Sequence, residues 1–280
     1  GADLLTHPSD ALALARGDVR DGIAAIEHFR EMLASKRVGP RGLARAVPEV
    51  QEGCAPLRAS LATLERALEV ELAADPEGLD AVRGLLAHAT ARITELSQAL
   101  AARVNRPLDA RERLALETIV LPIAGELGRV VRLVDLLGAP VTSDTTTIDF
   151  GDALSERRPA PRSATQVLAA VEVRTQELAV GDARLVLELL EFAVATVARA
   201  GVEFPRIVVD GGPDGLPVFT VDAGTRPPKV SEGSGVERRV FDVVMRDELP
   251  REVEVVCTAA RKLGIELTIA EDRRKVTIAL

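Results

Sequence analysis

Between residues 10 and 138 apolar side chains recur at alternating spacings of three and four. This is the signature of helices that each bury one face. The first stripe is Leu12, Ala15, Val19, Gly22, Ile26, Phe29 and Leu33, and the second is Leu43, Val47, Val50, Cys54, Leu57, Leu61, Leu64 and Leu68. The third is Leu79, Val82, Leu86, Ala89, Ile93, Leu96 and Leu100, and the fourth is Leu116, Val120, Ile123, Leu127, Val130, Val134 and Leu137. Helix breaks are expected at Gly39-Pro40, Asp75-Pro76 and Asn105-Arg106-Pro107, where proline ends or opens a helix. Pro48, Pro56 and Pro122 fall inside stripes. Each predicts a kink or a restart, because proline lacks the N–H that bonds the preceding turn. The second helix is therefore open to being two pieces.

The pattern changes toward the C-terminus. A helical stretch, Asp182–Ala200, is followed by two strand-like runs, Arg206–Asp210 and Pro217–Asp222, the second leading into Asp222-Ala223-Gly224. After a Gly/Pro/Ser-rich stretch come a helix at Arg251–Leu263 and a hairpin of Ile265–Ile269 with Lys275–Leu280. Residues 139–165, rich in Thr, Ser, Arg and Pro, read as a linker. The expected fold is α+β: an N-terminal antiparallel helical bundle, then an α/β sandwich. The bundle either closes within one chain or pairs its third and fourth helices with a second chain, and the sequence leaves both open.

The chain has 280 residues, enough for two modest domains, and is 47% apolar with no Trp or Tyr and six Phe, so Leu, Val, Ile and Ala build the core. A net charge of −8, with bases interspersed among acids, argues against nucleic acid as a partner, since phosphate binding needs a basic surface. No apolar run approaches a membrane span, and no signal peptide is visible. The chain opens on Gly1 rather than Met, as a piece of a longer protein would. Cys54 and Cys257 lie in unrelated segments and read as reduced thiols, which predicts a cytoplasmic setting.

The order helix, two strands, D-x-G turn, loop, helix, hairpin resembles the ATP-binding domain of sensor histidine kinases, the Bergerat or GHKL fold. Gly128–Leu137 (GRVVRLVDLL) followed by Thr147–Ala153 (TIDFGDA) is similar to the passage by which such kinases cross from their dimerisation and phosphotransfer hairpin into that domain. The resemblance covers roughly residues 77–280. It implies a hairpin at 76–140, a linker at 141–164 and a degenerate GHKL-like domain at 165–280, with residues 1–75 unassigned.

The resemblance also says which residues to inspect. A phosphoacceptor histidine belongs on the first hairpin helix, facing out, with an acidic neighbour. His88 is the one histidine on that helix, about 100° off the stripe, but His88-Ala89-Thr90-Ala91-Arg92-Ile93 offers no acid, and Arg92 disfavours a protonated ring. His28 has an acidic neighbour, Glu27, on the wrong helix, and His7 precedes Pro8 near the terminus. In the nucleotide domain the passage Glu188-Leu189-Leu190-Glu191-Phe192-Ala193 places Phe192 where an Asn would hold Mg²⁺, and an aromatic ring has no oxygen for a hard cation. Glu188 stands where ATP-hydrolysing relatives carry a general base, and Ala195 where a basic residue often stands.

On the resemblance, Asp222 and Gly224 are the remnant of the adenine-recognising turn. The second glycine box is replaced by Arg246-Asp247-Glu248-Leu249-Pro250-Arg251-Glu252, whose acids would repel a triphosphate at a helix entry. Gly233-Ser234-Gly235 reads as a lid remnant or an ordinary loop. One retained carboxylate contributes about 1.5–3 kcal/mol, far short of tight nucleotide binding.

The expectation is a non-catalytic histidine-kinase homologue that needs no cofactor or metal. It would bind a receiver domain or a kinase through the outward residues Arg92, Glu95, Arg129 and Arg132, with a homodimer through the bundle also open. The alternative is a histidine phosphotransferase relaying phosphate through His88. An ATP-dependent kinase with an unusual pocket is the third class.

Overall fold

A computed structural model of the chain describes residues 8–35, 37–104, 106, 108–138, 146–147, 166–174, 179–180, 183–212, 215–225 and 240–280. The fold is mixed α+β. It divides into two compact units, Gly1–Ala139 with Leu249–Thr258, and Pro140–Glu248 with Ala259–Leu280.

The first unit holds four long helices: α1 (Pro8–Ala34), α2 (Pro40–Glu71), α3 (Pro76–Ala101) and α4 (Ala110–Leu137). Each packs on its sequence neighbour, and α4 returns to pack on α1. Two side-chain contacts show the sense of packing: Arg83 pairs with Glu69 and Arg58 donates to the Thr94 hydroxyl across α2 and α3, so these helices run antiparallel. Every residue of the fourth stripe is buried, as are those of the other three except Gly22, Val50 and Leu79, which are half-buried. The helix phase read from the sequence therefore holds.

The ends are fixed by local chemistry. Pro40 and Pro76 open α2 and α3, where a missing N–H costs no bond. Asp75 accepts from Gly78 N at 2.9 Å and Asp109 from Glu112 N at 2.8 Å, capping α3 and α4. The C-terminal carbonyls of α1 are capped from α4. There Arg113 Nε donates to Leu33 O at 2.8 Å and Nη1 to Val38 O at 3.0 Å, with Ser35 O also engaged. At the other end Asp135 accepts from Arg16 at 3.0 Å and Arg20 at 2.9 Å.

Of the two outcomes expected at the internal prolines, a kink or a restart, the restart is overturned. The second helix is a single element through Pro48 and Pro56, and α4 likewise runs through Pro122. Pro56 and Pro122 are exposed and Pro48 is half-buried. A lost backbone bond on a solvated face is met by water, while the buried stripe on the opposite face keeps the helix whole.

The second unit is built on a six-stranded sheet. In chain order its strands are β2 (Gln166–Val173), β4 (Pro205–Gly211), β5 (Pro217–Ala223), β6 (Val240–Val244), β7 (Glu266–Ile269) and β8 (Val276–Ala279). They lie in the order β6-β2-β4-β5-β8-β7. The pair β2–β4 is parallel and the others antiparallel. A parallel pair needs a crossover, and helix α5 (Ala183–Arg199) lies between β2 and β4 in the chain. Two short strands, β1 (Thr146–Thr147) and β3 (Ala179–Val180), form a separate antiparallel pair.

Helix α5 packs on the sheet. Its Leu189, Ala193 and Val197 are buried, as are Ile207, Val209, Phe219, Val221, Val276 and Ile278 of the strands. Strands β4, β5, β7 and β8 fall where alternation places them, whereas β2 and β6 were not anticipated. The segment QVLAAVEV carries apolar residues on both faces, so it lacks the alternation that marks a half-buried strand.

The last helix, α6 (Glu252–Lys262), is divided between the units after Thr258. Gly264 ends it at φ +73°, a conformation that glycine adopts without strain. Among the described residues no helix is long and apolar enough to cross a membrane. Cys54 is buried and Cys257 half-buried, and neither is in a disulfide.

Candidate functional site

His88 lies one turn before Arg92 on α3. Both sit beside the buried positions Ala89, Ile93 and Leu96, so both emerge at the edge of the packed face. The imidazole is 26% exposed. Its Nε2 lies 2.9 Å from Oε2 of Glu126 on α4, so the acid missing from the local sequence comes from the neighbouring helix. Glu126 is shared: Arg92 Nε is 2.9 Å from the same oxygen and Arg92 Nη2 donates to Oε1 at 3.3 Å. Arg92 also pairs with Glu95 one turn on. The result is a half-exposed line Glu95–Arg92–Glu126–His88, in which one carboxylate serves a guanidinium and an imidazole.

Glu126 was not singled out from the sequence because it lies 38 residues from His88. Its signal was a charged residue between the stripe positions Ile123 and Leu127 on the helix that pairs with α3. Of the four charged residues expected to face outward, Glu95 is exposed, while Arg92 and Arg132 are half-buried.

Arg129 is a correction. It is 7% exposed and its guanidinium pairs with Glu252 inside the first unit. A buried cation needs a counter-ion, and Glu252 also accepts from Leu249 N at 2.8 Å. The side chain of Thr258 lies against Gly78 so closely that a Cβ there would sit 2.5 Å from its methyl carbon.

The positions at which the resemblance expects a nucleotide pocket lie in the second unit. Phe192, on α5, is a core residue at 7% exposure. Glu188 is half-buried and Ala195 buried. Asp222 stands directly across from Arg206 in the β4–β5 register. Arg206 Nε donates to Oδ1 and Nη2 to Oδ2, each at 3.1 Å, a bidentate pair. That hydrogen bond, more than the attraction of the charges, holds the Arg206 guanidinium above its ordinary pKa. Gly224 N donates to Phe204 O at 2.7 Å, and a Cβ on Gly224 would meet that oxygen at 2.8 Å. The glycine is thus explained by close backbone approach.

The segment from Arg246 to Glu252 is engaged as well. Arg246 O accepts from Arg199 at 3.0 Å, and Glu248 pairs with Arg273 at 3.0 Å. Gly233-Ser234-Gly235, read as a lid remnant or an ordinary loop, lies outside the described residues. Among the described residues no three His, Cys, Asp or Glu side chains cluster as a metal site would require. The chain matches no family model and none of the curated proteins.

Proposed function

We propose that this chain is a relative of sensor histidine kinases that has given up nucleotide and works by binding a protein. Its partner is a receiver domain or a kinase of two-component signalling, docking on the exposed sides of α3 and α4. The observation that carries this reading is that each pocket remnant already serves the fold. Phe192 fills core, the Asp222 carboxylate is taken by Arg206, and Gly224 is required by the approach of Phe204 O.

The second unit then reads as a Bergerat-type sandwich. The first reads as an antiparallel bundle closed within one chain, with α1 and α2 standing where a dimer partner's hairpin would stand. Homodimerisation through the bundle is not required on this reading, and a cytoplasmic setting goes with it. Isothermal titration with ATP and Mg²⁺ tests the central claim. No binding is expected at physiological concentration, and Phe192→Asn alone does not restore it; a micromolar dissociation constant would sink the reading.

A second reading, phosphoryl relay through His88, is favoured by one observation, the Glu126 carboxylate at its ring nitrogen. It needs no ATP pocket, so it accords with the same losses. Incubation with a phosphorylated receiver separates the two: acid-labile, base-stable label that disappears in His88→Ala selects relay.

A further inference from the structure

We propose that the groove between α1 and α2 binds a small apolar α-amino acid, its charged head at the rim and its side chain on the floor. The groove lies within the first unit, on helices for which the resemblance assigns no counterpart, and it uses no residue of α3 or α4. It therefore stands independently of both readings of the α3–α4 face.

The groove holds about 390 Å³, at the small end of the range for ligand pockets. Buried Ile26, Phe29, Ala46 and Leu57 make its floor, so the lining is mostly apolar. Two of its glycines are explained by packing. A Cβ on Gly22 would sit 2.8 Å from Leu57 Cδ1, and one on Gly42 would sit 3.2 Å from Val38 Cγ1. Gly53 differs, because it lies inside α2 and a Cβ there would meet nothing within 4 Å. Glycine inside a helix is destabilising relative to alanine. Stability alone would favour a larger residue at that position, whereas an open groove favours the glycine.

The rim carries the chemistry. Arg45 and Glu49 stand one turn apart on α2, and His28 of α1 lines the same groove. All three are exposed, and among the described residues no ion pair or hydrogen bond engages their side chains. Residues four apart on a helix are close enough to pair, yet Arg45 and Glu49 leave both charges open. A head with only a negative charge would stand against Glu49, and one with only a positive charge against Arg45. A head bearing both charges a few atoms apart answers both. Arg45 donates to its carboxylate, Glu49 accepts from its ammonium, and His28 offers a further N–H to the carboxylate. An α-amino acid carries that head. Its side chain is left to the floor of Ile26, Phe29 and Leu57, where a charged group would lose water and gain no partner.

Isothermal titration of the full chain with L-phenylalanine and L-leucine tests this. Each is matched by an amine that lacks the carboxylate and an acid that lacks the ammonium: phenethylamine and hydrocinnamate for the first, isoamylamine and isocaproate for the second. At least one amino acid should bind with a dissociation constant of about 1 mM or below, a range open to so small a ligand. It should bind about tenfold tighter than either of its analogues, the size of one charge-assisted hydrogen bond. Arg45→Ala should erase the margin over the amine, and Glu49→Ala the margin over the acid, a split that general loss of structure would not produce. Gly53→Leu places a helix-favouring side chain in the open space. It should keep the helical content seen by circular dichroism and weaken binding by about tenfold or more, as loss of the apolar floor would. No binding by either amino acid, an analogue that binds as tightly as its amino acid, or a Gly53→Leu chain that binds like the parent each overturns the inference.

Discussion

His88 and Asp222 each meet an opposite or complementary charge far along the chain, yet the two meetings differ in what they leave over. Asp222 faces Arg206 across two hydrogen-bonded strands whose register fixes the pair, and both carboxylate oxygens are taken at 3.1 Å. His88 meets Glu126 across two packed helices, through one ring nitrogen only. The strand pair uses up the group that a ligand would need. The helix pair orients its imidazole and leaves the second nitrogen without a contact to Glu126. Charges locked by backbone register belong to the fold, whereas a charge presented on a helix edge stays available for chemistry or for a partner.

The hardest test of that contrast is a charge more deeply committed than either. Arg129 and Glu252 each have side chains only 9% exposed. Removing Arg129 leaves the Glu252 carboxylate buried without this counter-ion, at a cost of about 3–5 kcal/mol. We therefore expect Arg129→Ala to lower urea-denaturation stability by that order. Replacing both residues, Arg129→Met with Glu252→Leu, should recover much of the loss. Leu96→Ala and Val130→Ala, both at fully buried stripe positions, should cost about 2–5 kcal/mol and calibrate the scale. An Arg129→Ala variant as stable as the parent would return that residue to the solvent-facing role its sequence position suggests.

Next in size is the turn after β5. An alanine at 224 would press its Cβ against Phe204 O at 2.8 Å, where the obstacle is backbone and cannot step aside as a flexible side chain would. Gly224→Ala is expected to cost about 1–3 kcal/mol, in the range of strain at a constrained backbone site. Asp222→Ala should cost less, about 1 kcal/mol or below. Its ion pair with Arg206 is roughly a third exposed, and solvent screens it. If Gly224→Ala melts like the parent but changes nucleotide binding, the glycine has been kept for a ligand, and the contrast with His88 collapses.

Much of this was legible in the sequence, and the residues show why some was not. Stripe positions such as Leu96 and Val130 declare themselves because helical burial repeats locally, and the buried set on all four helices follows that repeat. Strands β5 and β8 alternate cleanly and were found. Strand β2 was missed because Ala169 is buried while Leu168, next to it, remains exposed at 36%. An Ala/Leu/Val run with no clear alternation gives no periodic signal. Pro48 and Pro56 do not divide α2, because the proline rule speaks of one backbone bond, whereas the helix is held by the whole buried face. The partner choices Arg129–Glu252 and His88–Glu126 were out of reach for a different reason. Local pattern places a charge near a face, but which distant charge stands opposite it depends on how two elements are aligned.

The smallest expected effect is the most diagnostic. If His88 is presented for chemistry rather than held for stability, His88→Ala should change the melting stability by no more than about 0.5 kcal/mol, the range for surface positions away from special features. Glu95→Ala should behave alike, since its partner Arg92 retains Glu126. Both should nevertheless weaken capture of a receiver domain in pull-down, because they lie on the face proposed to dock it. A loss of 2 kcal/mol or more from His88→Ala would mean that the His88–Glu126 contact clamps α3 to α4 as Arg206–Asp222 joins its strands. The imidazole would then be one more charge committed to the fold, and the docking face would have to be sought on other side chains.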